Sequence, residues 1–205
     1  MLEITPEVAA LIQNVINKRI EGWIAPVEAA FLYGMAQNCI NKGVIVEIGT
    51  WKGKSTIFLA KGSKAGNNIK VYTVDPHTGA PEHREQDPDV YTFKEFKSNI
   101  QIMDVDDIVI PIVKTSVEAA KHWDKPIALL FIDGDHDYEM VKQDFELWYP
   151  HVIKDGILAM HDTDLETSVP GPVRACKEYM LESDNFYNIK KVESVTAGHK
   201  VNSNY

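Results

Sequence analysis

The sequence VEIGTWKGKST, residues 46–56, decides the fold, because a buried strand changes into a helix within it. The run at its start, Val44–Ile48, is short and mostly apolar and ends at Gly49, which is typical of a strand buried on both faces of a sheet. Helical spacing returns from Ser55 to Lys64. A buried strand followed at once by a helix begins a βαβ unit, and it predicts a parallel sheet.

The same alternation of strand and helix continues along the chain. It predicts the α/β class with a doubly wound sheet, because such strands need parallel pairing and right-handed crossovers. The polar stretch 76–89 predicts a loop. In the tail from Phe186 to Val201, apolar and polar residues alternate enough to predict a closing β pair. The further strands expected are Lys70–Val74, Ile108–Val113, Ile127–Ile132 and Gly156–Met160, and the further helices are Tyr91–Ile102, Val117–Trp123, Tyr138–Tyr149 and Pro172–Ser183.

Two helices are expected before the first strand. The first runs from Pro6 to about Lys18 with Thr5 as its cap, since proline suits the first helical position and threonine the capping position. The second follows Pro26. No linker separates them from the rest, so we expect a helical cap (1–42) on an α/β core (43–205) within a single domain of 205 residues.

The composition is that of a folded globular protein, with 44% hydrophobic and 25% charged residues. A net charge of -9 without any basic run disfavours nucleic acid as a partner. Neither a signal-peptide pattern nor a run of about 18 apolar residues is visible, which predicts a cytoplasmic protein without a membrane segment. Cys39 and Cys176 lie far apart, and we interpret both as small buried residues.

Acidic and small residues follow nearly every predicted strand. In doubly wound sheets, ligands bind beyond the carboxyl ends of the strands, near the point where the strand order reverses. A chain selected for stability alone has no need of such residues there, so the pattern predicts a functional crevice. The residues at these positions are Glu47, Gly49, Asp75, Thr115, Ser116, Asp133, Asp135, His136, His161 and Asp162.

The glycine-rich turn is compatible with more than one ligand. Its end, Gly53–Thr56, resembles the end of a phosphate-binding P-loop, but only three residues separate Gly49 from Gly53, where a P-loop needs four. Glu47 beside the turn would also repel a phosphate. The dinucleotide fingerprint fails because Trp51 stands where its second glycine would be. An acid at Glu47 suits a ligand that carries an ammonium and a sulfonium group.

Residues 46–56 resemble the first motif of the class I methyltransferases, E/D-x-G-x-x-x-G-x-S/T. More narrowly, they resemble the metal-associated small-molecule O-methyltransferases, related to the catechol and macrolide-sugar enzymes. The resemblance implies a Rossmann-like sheet and S-adenosylmethionine as the cofactor. It places Asp75 at the ribose hydroxyls and Thr115 and Ser116 at the adenine. The other cofactor-binding residues that it implies are Glu47, Gly49, Thr50, Gly53, Ser55, Thr56 and Asp133.

Two further motifs, residues 131–144 and residues 158–163, deliver possible metal ligands at strand ends. Asp133, His161 and Asp162 resemble the metal triad of this methyltransferase branch. Carboxylates favour Mg²⁺ or Mn²⁺, whereas His161 stands where many relatives have a carboxylate and keeps Fe²⁺ or Zn²⁺ open. The alternative interpretation is that these residues, with Asp135 and His136, only cap the helices that follow.

The predicted reaction is methyl transfer from S-adenosylmethionine to a hydroxyl oxygen of a small molecule. Asp133 and His136 are the predicted catalytic residues: a divalent metal held partly by Asp133 lowers the pKa of the hydroxyl, and His136 accepts its proton. The alternatives are a P-loop-like nucleotide-binding protein, a metal-dependent hydrolase that uses the Asp/His cluster, and a cofactor-binding protein without transferase chemistry. A small-molecule acceptor is the expected partner, and a homo-oligomer stays open.

Overall fold

A computed structural model of the protein describes residues 4–165 and 169–201. Within these residues, seven strands form one sheet, and helices pack on both of its faces. The strands are β1 (Val44–Ile48), β2 (Val71–Val74), β3 (Val109–Ile112), β4 (Ile127–Ile132), β5 (Val152–Met160), β6 (Phe186–Val192) and β7 (Val195–Lys200). The helices are α1 (Pro6–Asn17), α2 (Pro26–Gln37), α3 (Lys54–Ala65), α4 (Pro81–Gln86), α5 (Phe93–Ile102), α6 (Ser116–Ala120), α7 (Tyr138–Trp148) and α8 (Pro170–Cys176), which continues as a π-helix over Lys177–Leu181.

The strand order is β3-β2-β1-β4-β5-β7-β6. The first five strands are parallel, while β7 pairs antiparallel with β5 and forms a hairpin with β6. The chain moves outward from β1 to β3 and then returns to place β4 on the other side of β1. The order therefore reverses between β1 and β4, and the predicted doubly wound sheet with its C-terminal β pair is confirmed.

The two N-terminal helices belong to the same apolar core as the sheet. Thr5 accepts a hydrogen bond from the Val8 amide at 3.4 Å and caps α1, as predicted. Leu32 and Ala36 of α2 are fully buried in one cluster with Ile45 of β1 and further apolar residues of α3. The helical cap therefore packs directly on the α/β core.

The stretch 76–89, which the sequence predicts as a loop, contains α4, and that part of the prediction is wrong. Pro81 occupies the first turn of this helix, a position that proline favours. With only six residues and a mostly exposed surface, α4 has no apolar periodicity that a sequence could reveal. Elsewhere the boundaries shift by a few residues: β5 begins at Val152 instead of Gly156, and α6 ends at Ala120.

Cys39 and Cys176 are free and buried, in agreement with the sequence. Among the described residues, none of the helices has the length and apolarity needed to cross a membrane.

Candidate functional site

A cavity of about 960 Å³ opens at the carboxyl edge of the parallel strands, where the strand order reverses. Residues near the start of α2, in α4 and in the turn between β6 and β7 complete its walls. Glu47, Gly53 and Thr56 of the predicted cofactor residues lie outside its lining. The predicted site residues that line the cavity are Gly49, Thr50, Ser55, Asp75, Thr115, Ser116, Asp133, His136, His161 and Asp162.

Gly49 allows two neighbouring turns to pass each other. Its φ of +81° lies in the left-handed region, and a Cβ atom there would overlap the carbonyl oxygen of Asp133 and the Cα of Gly134. The glycine therefore brings the turn after β1 against the turn after β4. Gly53, at φ +85°, caps α3, and a Cβ there would meet the ring of Phe96 at 3.0 Å. Close packing against α5 is thus its structural role.

Asp75 joins the end of β2 to the glycine turn. Its Oδ2 accepts the amides of Thr50 at 2.7 Å and Trp51 at 2.9 Å, and its Oδ1 accepts the amide of His77 at 2.6 Å. In a P-loop, amides of this turn would be free to bind phosphate, whereas here two of them serve a carboxylate. Asp75 also lines the cavity, and its contact with ribose hydroxyls stays a prediction.

Glu47 is fully buried behind the glycine turn. Burial raises the pKa of this carboxyl to about 8, although hydrogen bonds from Ser55 and Thr56 oppose the rise. The hydroxyl of Thr56 donates to Oε2, and Oε1 has no hydrogen-bond partner among the described residues. Glu47 is therefore mostly neutral near pH 7. Because it lies outside the cavity lining, its predicted interaction with a cationic ligand would have to act without direct contact.

The adenine end that the resemblance implies carries an acid that the sequence analysis missed. Thr115 caps α6 in a reciprocal arrangement with Glu118, and Ser116 accepts the indole N–H of Trp148 at 2.8 Å. Asp144 of α7 lines the same part of the cavity, and burial raises its pKa to about 6 despite a hydrogen bond from Ser116. Because Asp144 lies inside a helix and follows no strand, its position gave no signal.

Three aromatic rings meet at the rim of the cavity. The ring of His83, from α4, stacks on Trp51 with centroids 4.3 Å apart, and Trp23 lies 5.2 Å from His83. His83 could not be placed in the crevice from the sequence, because the helix that carries it was not predicted. His77, which follows β2, is buried outside the cavity lining, and its Nδ1 lies 3.0 Å from the hydroxyl of Thr92.

The predicted metal triad is brought together at the ends of β4 and β5. These strands are neighbours, and Ile132 pairs with Met160, so the residues that follow them start side by side. Nδ1 of His161 lies 3.1 Å from Oδ1 of Asp133 and 3.1 Å from Oδ2 of Asp162. Asp162 adopts a left-handed φ of +55°, which aspartate tolerates better than most residues.

The charges of the triad are strongly coupled. Burial lowers the pKa of His161, but the charge of Asp133 and close contacts with Asp133, Asp162 and Glu28 together raise it to about 12. Burial raises the pKa of Asp133, and the charge of His161 opposes this rise. Burial also raises the pKa of Asp162, but close contacts with His136 and His161 outweigh it and hold the pKa well below its usual range. The carboxylates around His161 thus favour a positive charge at this point of the cavity.

The same residues fit a divalent cation. Their ligand atoms lie within 4.8 Å of one another, and donors that share a cation at about 2.1 Å stand roughly 3 to 4 Å apart. Nδ1 of His161 is buried, and it makes no hydrogen bond of acceptable direction with the described residues. A nitrogen lone pair between two carboxylates is a coherent donor set for Mn²⁺, Fe²⁺ or Zn²⁺, with Mg²⁺ less favoured.

His136 lies beside this cluster on the cavity wall. Its Nε2 is 3.1 Å from Oδ2 of Asp162, and its side chain is partly exposed. A histidine oriented by a carboxylate is a suitable proton acceptor. Capping does not account for the cluster. The α7 cap is Asp137, whose carboxylate accepts the amide of Glu139, and α8 begins after Val169 without a side-chain cap from the described residues.

Glu28 and Ser194 complete the environment of His161, and sequence analysis found neither of them. The imidazole Nε2 lies 3.0 Å from the hydroxyl of Ser194 and 3.5 Å from Oε2 of Glu28. Burial raises the pKa of Glu28, but hydrogen bonds from His161, Ser194 and the Ala25 amide lower it to about 2. Neither residue follows a strand of the parallel sheet, so the rule that located the other site residues could not find them.

Comparison with known proteins gives matches in sequence and in fold. Residues 46–163 match the family model described as a methyltransferase domain. An uncharacterised protein, R132, of Acanthamoeba polyphaga mimivirus is 32% identical over 120 residues, which cover 57% of this chain and 50% of that protein. The chain thus spans about half the length of this curated relative.

Two solved structures share the fold over nearly the whole chain. An O-methyltransferase from Bacillus cereus in complex with SAH has a TM-score of 0.64 at 19% identity, covering 98% of this chain and 93% of that one. The O-methyltransferase TomG from Streptomyces achromogenes, in complex with SAM, has a TM-score of 0.64 at 14% identity, covering 98% and 92%. The Rossmann-like fold expected from the glycine turn is confirmed. Since the family model covers more than half of the sequence, from the first strand to the metal triad, the chain belongs to the methyltransferase-domain family.

Proposed function

We propose that the protein transfers a methyl group from S-adenosylmethionine to a hydroxyl oxygen of a small molecule, with the help of a divalent metal. The observation that carries the proposal is one cavity that holds both the glycine turn with Asp75 and the Asp133–His161–Asp162 cluster. A methyl donor and a metal-bound acceptor would therefore lie side by side. Membership of the methyltransferase family supports the donor, and the ligand atoms support the metal.

The cofactor half of the cavity is built from backbone turns. Asp75 fixes the amides of Thr50 and Trp51, so the turn is already ordered before a ligand enters. A carboxylate has about four lone-pair positions, and three of those of Asp75 accept backbone amides. The fourth, which now meets only the Thr50 hydroxyl at 3.3 Å, can accept a ribose hydroxyl. Ser116 and Asp144 line the part of the cavity assigned to the adenine. An ordered site lowers the entropy lost when the cofactor binds.

At the acceptor half, the chain supplies orientation and a proton acceptor. When bound, the metal acts as a Lewis acid that lowers the pKa of an acceptor hydroxyl. Asp133, His161 and Asp162 would hold it and leave coordination positions free for the acceptor. His136, held against Asp162, takes the hydroxyl proton. The displacement is in line, so most of the rate enhancement comes from aligning oxygen, methyl carbon and sulfur.

The walls of the acceptor half favour neutral or cationic acceptors. Glu21, Asp135, Asp164 and Glu193 all line this region. Lys52 pairs with Glu21 at 2.8 Å and Lys191 with Asp164 at 3.2 Å. Two cations of the lining, Lys54 and Arg84, donate to backbone carbonyls. An anionic acceptor would meet repulsion from Asp135 and Glu193, the carboxylates that no lysine among the described residues pairs with.

Calorimetry with S-adenosylhomocysteine, with and without Mn²⁺, tests the proposal. We expect binding of S-adenosylhomocysteine in both conditions and a separate heat for Mn²⁺. Methyl transfer to small hydroxyl compounds should then stop when the metal is removed by a chelator. Tight binding of ATP without binding of S-adenosylhomocysteine would favour the nucleotide-binding alternative and overturn the proposal.

A further inference from the structure

We propose that Glu28 and Ser194 are positioning residues that keep the hydrogen of a neutral His161 on Nε2, so that its Nδ1 lone pair faces Asp133 and Asp162. The inference rests on the metal role in the proposed function, and it concerns residues of the helical cap and the C-terminal hairpin. Glu28 and Ser194 lie beside Nε2 of His161, whereas Asp133 and Asp162 lie beside Nδ1, and both pairs also line the cavity.

Glu28 can only accept hydrogen bonds in this site. The Ala25 amide donates to Oε2 at 2.8 Å, and the Ser194 amide donates to Oε1 at 2.9 Å. Backbone amides are obligate donors, and an ionised carboxylate carries no proton. With a backbone amide donating to each oxygen, the carboxylate form of Glu28 is stabilised, and both of its oxygens act as acceptors.

Ser194 has a single hydroxyl hydrogen, and Glu28 takes it. Its Oγ lies 2.6 Å from Oε1 of Glu28, a length typical of a hydroxyl that donates to a carboxylate. The same Oγ lies 3.0 Å from Nε2 of His161. Because the hydrogen is already used, the serine oxygen can only accept from the imidazole. Nε2 must therefore carry a hydrogen.

The other imidazole nitrogen faces the two carboxylates of the triad. Nδ1 lies 3.1 Å from one oxygen of Asp133 and 3.1 Å from one oxygen of Asp162. With the hydrogen fixed on Nε2, a neutral His161 points the lone pair of Nδ1 at this pair of oxygens. A cation bound by the three atoms would remove the repulsion between the lone pair and the carboxylate charges. Partners of this kind behind a metal-bound histidine commonly change metal affinity 10- to 100-fold, roughly, when they are removed.

Three variants of the full-length protein test the inference. Ser194→Ala removes the acceptor of the Nε2 hydrogen. Glu28→Gln has nearly the same shape, but its amide group can donate to Ser194 and let the serine hydroxyl turn toward His161. Tyr33→Phe is the matched control, because it removes a hydrogen bond between α1 and α2, from Tyr33 to Glu7, without touching His161.

Two measurements are made on each variant. Calorimetry gives the affinities for Mn²⁺ and for S-adenosylhomocysteine. Nitrogen-15 NMR of histidine-labelled protein with Zn²⁺ bound reports which nitrogen of His161 carries the hydrogen. We expect about tenfold or greater loss of Mn²⁺ affinity in Ser194→Ala and Glu28→Gln, wild-type affinity in Tyr33→Phe, and a protonated Nε2 in the wild-type protein.

The outcomes separate this inference from the proposed function. If Mn²⁺ binds equally well to all variants, or if Nδ1 carries the hydrogen and Nε2 binds Zn²⁺, the inference is overturned while the proposed function stands. If the wild-type protein binds S-adenosylhomocysteine but no Mn²⁺, the metal role and the inference fall together. Without binding of S-adenosylhomocysteine, the proposed transferase fails, and the Mn²⁺ and NMR results still decide the inference.

Discussion

Asp75 at the end of β2 accepts both the amide and the hydroxyl of Thr50 in the glycine turn, at 2.7 Å and 3.3 Å. A single carboxylate oxygen at the end of β2 thus orders the turn that follows β1. Asp75 therefore has a structural duty besides the ribose contact that we predict for it. The two duties lead to the same experimental result, a loss of cofactor affinity.

Asp75→Ala is expected to weaken binding of S-adenosylhomocysteine about ten- to a hundredfold. The variant loses a charged acceptor for ribose, worth about 1.5–3 kcal/mol, and it frees the amides of the turn. Calorimetry measures the change, with Asp107→Asn as the control, because Asp107 is an acid on the exposed surface that pairs with Lys64. Wild-type affinity in Asp75→Ala would remove Asp75 from the cofactor site.

Gly49→Ala is expected to lower the melting temperature as well as the affinity for S-adenosylhomocysteine. From the sequence alone, a larger residue here would block the cofactor and leave the fold intact. The structure places backbone atoms of Asp133 and Gly134 where the Cβ would be, so the substitution also strains the fold. The cost should be roughly 2 kcal/mol or more, given the left-handed φ and the overlap.

Gly34→Ala is the matched control for Gly49→Ala. Gly34 lies in α2, and a Cβ there would meet nothing within 4 Å. An alanine in a helix interior should raise stability by about 0.5–1 kcal/mol. Thermal unfolding followed by circular dichroism compares the two. Equal melting temperatures for both variants would show that the turn after β1 tolerates a side chain.

Glu47→Gln is expected to flatten the dependence of stability on pH. The pKa of Glu47 is about 8 in the folded protein and 4.5 by its ordinary value, so the folded state binds its proton more tightly. This contribution to stability is complete below pH 4.5 and is lost as pH rises to about 8. One pKa unit corresponds to about 1.4 kcal/mol, so the loss should be a few kcal/mol.

Urea unfolding at several pH values between 4.5 and 8 checks this prediction. The difference in free energy of unfolding between the wild-type protein and Glu47→Gln isolates this carboxyl from other titrating groups. It should move in favour of the variant as pH rises. A difference that does not change with pH would mean that Glu47 is ionised in the folded protein.

His161→Asp is expected to change metal preference more than metal occupancy. An all-carboxylate triad favours hard ions, whereas the imidazole favours transition ions. The variant should therefore bind Mg²⁺ relatively better and Zn²⁺ relatively worse than the wild-type protein, by competition calorimetry. Asp162→Asn, which removes one charge, should weaken both ions together. An unchanged ratio of Mg²⁺ to Zn²⁺ affinity would exclude His161 from the ligands.

The sequence predicted those parts of the site that follow from the topology of a parallel sheet. Asp133 and His161 come directly after neighbouring strands, and such residues must meet at one edge. Glu28 and Ser194 are 166 positions apart and meet only because α2 and the hairpin pack on the same end of the sheet. No local pattern encodes that contact, and Glu28 three positions after Ala25 looks like an ordinary capping residue.

Prediction of the fold from the sequence succeeded where an element has an apolar pattern and failed where it has none. Strands such as Ile127–Ile132, with every residue buried, were clear from their apolar run. The short helix α4 was missed because its six residues form no apolar face that a sequence pattern could reveal. His83 was missed with it, and so was the aromatic cluster at the rim of the cavity.

The contact between Glu28 and Ser194 also sets an order of events during synthesis. Glu28 is synthesised 166 positions before its serine partner, and His161 is synthesised 33 positions before it. Chains are made at about 5–20 residues per second, so α2 exists for roughly 8–33 s, but His161 for only roughly 2–7 s, before Ser194 is added. During that interval the imidazole of His161 lacks the hydrogen-bond acceptor that orients it. The orientation of His161 is therefore completed only when the C-terminal hairpin forms, a few seconds after the triad itself has been synthesised.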